Sequence, residues 1–279
     1  MCLISFALDQ HPDFPLVLAA NRDEFFRRPT AAMDWWTTDS GQQVLAGRDL
    51  QSGGTWLAIN RNGALSAVTN VREGTPEAGR LSRGRLPLQA LQSPHTMLNA
   101  RLPREAADYS GFNLLYLDGT AGWYYSNRDA HPGRHVHRGL YGLSNHLLQT
   151  PWPKLVRLRQ KLADILSSGE RDEQQLHRLL ITAMQDTRPA PDHLLPDTGV
   201  GPGTERFLSA PFVCGDEYGT RATTVVTLSR SGHIRVSEQS WGPSAQSLEY
   251  RTFHWQRETS GSDIIREIQT PDRRSPDGR

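Results

Sequence analysis

Pairs of short apolar runs joined by tight polar turns recur along this chain, and they commit it to antiparallel sheet. Leu3-Ile4-Ser5-Phe6-Ala7-Leu8 meets Leu16-Val17-Leu18-Ala19-Ala20 across a turn at His11-Pro12-Asp13. The run from Gly53 to Asn60 meets the run from Gly63 to Asn70 across Arg61-Asn62, and Asn-Gly at such a tip is a strong hairpin signal. Phe112 to Leu117 and Gly122 to Ser126 form a third pair around Asp118-Gly119-Thr120-Ala121. Further short strands are expected at Val44 to Arg48, Gly139 to Asn145, Phe212 to Cys214, Thr223 to Leu228, Ile234 to Glu238 and Leu248 to Phe253.

Helical spacing enters in two places. From Ser82 to about Ala107 it predicts two helices separated at Ser93-Pro94, and Leu155, Leu158, Leu162, Ile165 and Leu166 predict another, closed by Gly169. A partner helix follows from Asp172 through Leu176, Leu179 and Leu180 to Met184. Hairpins alternating with helix pairs indicate an α+β protein whose antiparallel sheets are covered by helices. No Pro/Gly/Ser linker divides the middle, so one domain is expected over residues 1–255, followed by a polar, disordered tail at 256–279 in which Ile264-Ile265 and Ile268 offer one docking helix. The loop with Gly199-Val200-Gly201-Pro202-Gly203 has no strand before it and no Lys-Ser/Thr after it, which makes it a connector rather than a phosphate loop.

A net charge of +1 on 279 residues gives no electrostatic reason to expect nucleic acid or an anionic membrane as partner. No apolar stretch approaches ~18 residues, so stable membrane insertion is not expected, and a cytoplasmic location is. The two cysteines, Cys2 and Cys214, are expected as free thiols. His135 and His137 share a strand face but have no third ligand at a recognised spacing, so neither metal nor other cofactor is expected.

Chemistry concentrates at Cys2. Methionine is normally trimmed before a small second residue, and trimming leaves a thiol and a free α-amine on one residue. With an amine titrating near ~7.7–8.0 and a thiol near ~8.5, the amine can take the thiol proton at neutral pH. The first hairpin returns Asn21-Arg22-Asp23-Glu24 toward this residue. Alternatively, Cys2 is a small core residue at a strand start. Asn70, Asn145 and Arg221 stand at other strand ends, where they are placed donors or simply cap turns and pair with carboxylates. Trp35 and Trp36 either line a substrate mouth or pack in the core or rim.

These motifs together resemble the signature of the NRDE family, the transport-and-Golgi-organisation family. The resemblance is carried by Cys2, Asn21-Arg22-Asp23-Glu24, Thr69-Asn70-Val71-Arg72, Tyr141 to Asn145 with Thr150-Pro151-Trp152-Pro153-Lys154, and Tyr218-Gly219-Thr220-Arg221. It implies an N-terminal-nucleophile (Ntn) hydrolase fold, a four-layer αββα sandwich, with more distant similarity to penicillin V acylases and bile-salt hydrolases. On that pattern Cys2 is nucleophile and base, Asp23 holds the ammonium, Asn70 and Asn145 donate to the oxyanion, and Arg22 and Arg221 lower the thiol pKa. In the acylase pattern the arginine and aspartate of this loop stand three apart, whereas Arg22 and Asp23 are adjacent and face opposite sides of a strand. That makes Arg22 the weakest assignment, with Asn21 standing in on Asp23's face. The substrate class implied is a small or lipid-like amide, or a thioester. The alternative is a binding or trafficking protein for haem or lipid-like cargo on the same scaffold.

Overall fold

The computed structural model describes residues 2–74, 79–119 and 121–258. The expected tail beyond residue 258, with Ile264-Ile265 and Ile268, lies outside the described residues, as does Met1.

Alternation of side chains with period two sorts the central strands into two buried faces. The strands are β1 (Cys2–Leu8), β2 (Leu16–Phe25), β3 (Thr30–Thr37), β4 (Gln43–Asp49), β5 (Leu57–Asn60) and β6 (Leu65–Asn70). They continue as β7 (Phe112–Asp118), β8 (Ala121–Ser126), β9 (Arg134–Val136), β10 (Gly139–Leu143), β11 (Tyr218–Leu228), β12 (His233–Trp241) and β13 (Ser247–Gln256). A six-stranded antiparallel sheet runs β10-β1-β2-β11-β12-β13, and a seven-stranded one runs β3 to β9 in sequence order.

Ile4, Phe6, Leu8, Leu18 and Ala20 from the first sheet and Leu45, Ile59, Leu65, Ala67 and Leu115 from the second form the core between the sheets. Intervening residues serve the outer faces. Leu3, Ala7, Val17 and Ala19 pack under two helices, α2 (Pro153–Ser167) and α3 (Glu173–Ala183), through Leu155, Leu158, Leu162, Leu176 and Leu180. Val44, Ala46, Leu114 and Tyr116 pack under α1 (Leu86–Gln92) and the helical turns after it. The layer order is thus αββα. α2 starts on Pro153 and stops before Gly169, whose φ of +72° suits glycine. α3 is capped by Asp172, whose carboxylate accepts from the amides of Gln174 and Gln175.

Three elements depart from the sequence reading. β3 is a full strand, although its half-exposed edge position gives its sequence no clean alternation. Residues 212–214 are not a strand: Val213 is held by a reciprocal pair of bonds with Thr220, its N–H donating to Oγ1 (2.9 Å) and its carbonyl accepting from the Thr220 amide (2.8 Å). The connector contains a one-turn helix, α4 (Pro202–Phe207), that carries the buried Glu205.

Candidate functional site

Cys2 is the first residue of β1 and lies directly opposite Arg22 of β2, with Leu3 opposite Asn21. Opposed residues share a face, and the inward alternation through Ile4 and Ala20 ends in Cys2 and Arg22. Asn21 and Asp23 alternate to the helix side with Val17 and Ala19. Arg22, with Glu24 two residues on, is therefore on the thiol's face, which reverses the expectation that Arg22 is the weakest of the set.

Asn21 cannot stand in for it, because its amide is fully used beneath the helices. Its Nδ2 donates to the carbonyls of Met184 (2.9 Å) and Pro211 (3.0 Å), and its Oδ1 accepts from Thr223 (2.7 Å). Asp23 is buried on the same side and accepts from Thr220 Oγ1 at 2.7 Å.

A cleft of about 200 Å³ opens where β1, β2 and β6 end, and Cys2, Arg22, Glu24, Trp56, Asn70 and Arg83 are among its lining residues. Trp56 supports Arg22, whose guanidinium carbon sits 4.3 Å from the ring centroid and is worth on the order of 1 kcal/mol there. The indole fits because residue 47 is glycine: a Cβ there would lie 2.1 Å from the ring. The loop holding Trp56 meets the turn before α1 backbone to backbone, with the Thr55 amide donating to Gly84 O at 2.9 Å. At Gly54 a Cβ would stand 2.4 Å from that same oxygen.

Asn70 and Asn145 have different positions. Asn145, fully buried just beyond β10, donates from Nδ2 to Asn70 Oδ1 at 2.9 Å, and its carbonyl accepts from the Arg72 amide at 2.7 Å. Asn70 lines the cleft and Asn145 does not. The asparagine pair is thus one residue that lines the cleft, its Nδ2 3.4 Å from Val71 O, and one that fixes its orientation.

Arg221 is removed from the thiol. It is the extra residue in a β-bulge where β11 passes from Thr220 to Ala222 against β2. Its Nη1 donates to the carbonyls of Phe25 (3.2 Å) and Arg28 and to Thr30 Oγ1 (3.2 Å), so it clamps the β2–β3 turn instead of pairing with Asp216, Glu217 or Cys2. Trp35 and Trp36 are also off the cleft. Trp35 packs edge-on against Trp255 under Arg61, and Trp36 donates to Ala46 O at 3.0 Å. His135, on the short strand β9, meets Trp123 edge-on and stacks with His137 just beyond the strand. Among the described residues no group of three or more His, Cys, Asp or Glu is arranged to hold a metal ion.

Burial pushes the Cys2 thiol up, reinforced by Asp23 and Glu24 and opposed by positive charge that includes Arg22. Arg22 thus acts in the expected direction, but burial outweighs its guanidinium: the thiol stands above its ordinary pKa, keeps its proton at neutral pH and needs a base to attack.

Behind the sheet, Lys154 is buried, and burial aided by Arg72 brings its ammonium down to about 8. Its Nζ donates to Leu208 O at 2.9 Å. Beside it Arg72 Nη1 bonds Glu205 Oε2 at 2.6 Å in a pair buried on both sides. Arg28, which bonds Asp49 at 2.7 Å, and Arg83, which donates to Gly111 O at 2.9 Å, complete the charges around the cleft. Sequence reasoning did not single out Trp56, Arg28 or Arg83, because nothing in one sequence separates a cleft arginine from a surface one. Gly47 and Gly54 were the available signals for a close approach.

The molecule is thus an αββα sandwich with a buried thiol in a polar cleft at its strand ends. The family model for Transport and Golgi organisation 2 matches residues 1–243, and the chain belongs to that family. It is 35% identical to the Transport and Golgi organization protein 2 homolog of Bos taurus, over 86% of this chain and 93% of that one. With the mouse homolog it shares 32%, over 93% and 98%. Among solved structures, a variant of the conjugated bile acid hydrolase from Clostridium perfringens superposes with a TM-score of 0.47 at 9% identity, over 94% of this chain and 99% of that one. The N-acylethanolamine-hydrolyzing acid amidase ortholog of Caenorhabditis elegans gives 0.38 at 12%, over 64% and 85%. Among the described residues no helix is long and apolar enough to cross a membrane.

Proposed function

We propose that this chain is a cysteine N-terminal-nucleophile hydrolase that cleaves a C–N amide bond, or a thioester, after removal of Met1. The observation that carries this reading is the register of β1 on β2, which gives Cys2 and Arg22 one face and a cleft shared with Asn70.

In the proposed reaction the Cys2 amine takes the thiol proton as Sγ bonds to the substrate carbonyl carbon. The carbonyl oxygen becomes an oxyanion that accepts from Asn70 Nδ2, whose amide is held by Asn145. One such donor contributes about 3–4 kcal/mol in comparable sites. The C–N bond then breaks, the ammonium proton passes to the leaving nitrogen, and a thioester remains. Water adds to it, giving a proton to the amine; the S–C bond breaks, the thiol is restored and the acid departs. Asp23 stabilises the transient ammonium from the strand's other side, and Arg22, backed by Trp56, keeps positive potential over the cleft. A protonated resting thiol fits this scheme, since proton transfer and attack are coupled.

The experiment is intact-mass measurement of the protein from its natural host, followed by exposure to p-nitrophenyl acetate. The expected result is loss of Met1 and an acetyl adduct on Cys2 that decays as nitrophenolate continues to appear. Asn70→Ala should slow turnover by about 10²–10³ with the fold intact, and Cys2→Ala should abolish it. Full retention of Met1, or an adduct on Cys214 alone, refutes the proposal.

A further inference from the structure

The charges lining the cleft do not balance among themselves. Three guanidinium groups, from Arg22, Arg28 and Arg83, face two carboxylates, from Glu24 and Asp49. Arg28 is committed to Asp49 at 2.7 Å, and Arg22 leans on Glu24 at 3.7 Å and on the Trp56 ring. Arg83 has no carboxylate within ion-pair distance among the described residues; its one side-chain bond there is from Nη1 to the neutral carbonyl of Gly111. A guanidinium carries five N–H donors in a planar fork suited to two-point binding of a carboxylate. The neighbouring thiol does not supply the missing anion, because burial keeps it protonated at neutral pH.

Size and polarity narrow the ligand. About 200 Å³ lies below the ~300–1,000 Å³ of pockets that enclose drug-sized ligands, and the lining includes Ser52, Thr55 and Ser82 as well as the charged groups. A cleft this small and polar favours a short polar ligand over a lipid chain or haem.

Building on the hydrolase reading, we propose that the substrate is a short N-acyl amide bearing a carboxylate close to the scissile bond, and that Arg83 is the residue that binds this carboxylate. The turn Arg83–Arg85 holds the guanidinium in place: its backbone is locked to the Trp56 loop through the Gly84–Thr55 bond, while Gly111 O fixes one nitrogen. Sharing the cleft with Cys2, it leaves the rest of its fork for a ligand whose carbonyl reaches the thiol.

The test is calorimetric titration of the full chain carrying Cys2→Ala with N-acetylglycine and with its neutral twin N-acetylglycinamide. The acid should bind about tenfold more tightly or better, the scale of one charge-assisted pair. Arg83→Gln in the same background should bring the acid down to the amide's affinity, and Arg83→Lys should keep part of the preference, which separates lost charge from lost folding. Equal affinities for acid and amide, no binding of the acid at millimolar concentration, or an undiminished preference in Arg83→Gln overturns the proposal. If the preference holds but wild-type protein exposed to p-nitrophenyl acetate forms no thioester on Cys2, the carboxylate site stands and the hydrolase reading falls. If a thioester forms without any preference for the acid, the reverse is true.

Discussion

Lys154 should make the protein less stable at neutral pH than it would be without a charge at that position. Its side chain is buried against Leu208 O, and burial brings its ammonium from 10.5 to about 8. In the unfolded chain the same group stays protonated up to about 10.5. Between those values the unfolded chain binds more protons, so the Lys154 contribution to stability rises with pH across that window, and below it the folded state carries the full penalty. A gap of this size corresponds to about 3 kcal/mol at pH 7. Lys154→Met removes the charge at similar length but leaves Leu208 O without its donor, at about 1 kcal/mol. The variant should therefore be about 2 kcal/mol more stable than wild type near pH 7, and that advantage should shrink and change sign as pH rises through about 8 to 10.5. Urea unfolding followed by tryptophan fluorescence at several pH values measures both curves, and the difference between them isolates Lys154 from other titrating groups. Parallel curves, or a variant destabilised at pH 7, would show that Lys154 is not held against its charge.

Glu205→Gln leaves Arg72 charged and buried without its carboxylate, in a place where its Nε and Nη2 already lack partners among the described residues. Denaturant unfolding should report a loss of about 3–5 kcal/mol, and a loss under ~1 kcal/mol contradicts the burial argument. Gly54→Ala drives a Cβ to 2.4 Å from the Gly84 carbonyl oxygen, so it should cost about 1–3 kcal/mol and speed hydrogen exchange at the Thr55 amide. Gly203→Ala, with nothing within 4 Å, should be neutral or slightly stabilising in the same assays.

Much of the sheet architecture was legible because each buried strand alternates between two interiors, a period that survives without knowledge of its partners. The first hairpin and the Asn62-Gly63 hairpin were legible down to their turns. What failed was anything decided by the third dimension. Arg22 and Asp23 were ranked by spacing, yet pairing with β1 and the parity of β2 determine which of them meets Cys2. Asn70 and Asn145 looked equivalent as asparagines at strand ends, but only their mutual bond shows which one faces the cleft. Arg221 looked like a site residue because of its motif, while a bulge turns it toward the carbonyls of the β2–β3 turn. Arg83 gave no local signal, because its significance lies in the charges that its neighbours leave uncompensated.

The two sheets are stitched together at one end. Thr69 Oγ1 donates to Ser144 O (2.9 Å), Asn145 Nδ2 to Asn70 Oδ1 (2.9 Å) and the Arg72 amide to Asn145 O (2.7 Å), so the end of β6 and the segment after β10 are tied by three consecutive bonds. Cys2 belongs to one sheet and Asn70 to the other, and their alignment depends on this seam. The turns at residues 9–15, 61–64 and 229–232 all lie at the opposite end, as the pairings of Leu8 with Leu16, Ile59 with Leu65 and Leu228 with Ile234 require. The molecule therefore has one pole that carries the site and another, tied in its own right by the Trp255 Nε1 bond to Arg61 O (3.0 Å) and the Arg230–Asp9 pair, that is remote from it: a fluorophore or affinity tag on the outer surface of a turn at that remote pole can report on or tether the protein while leaving the distance between thiol and amide as it was.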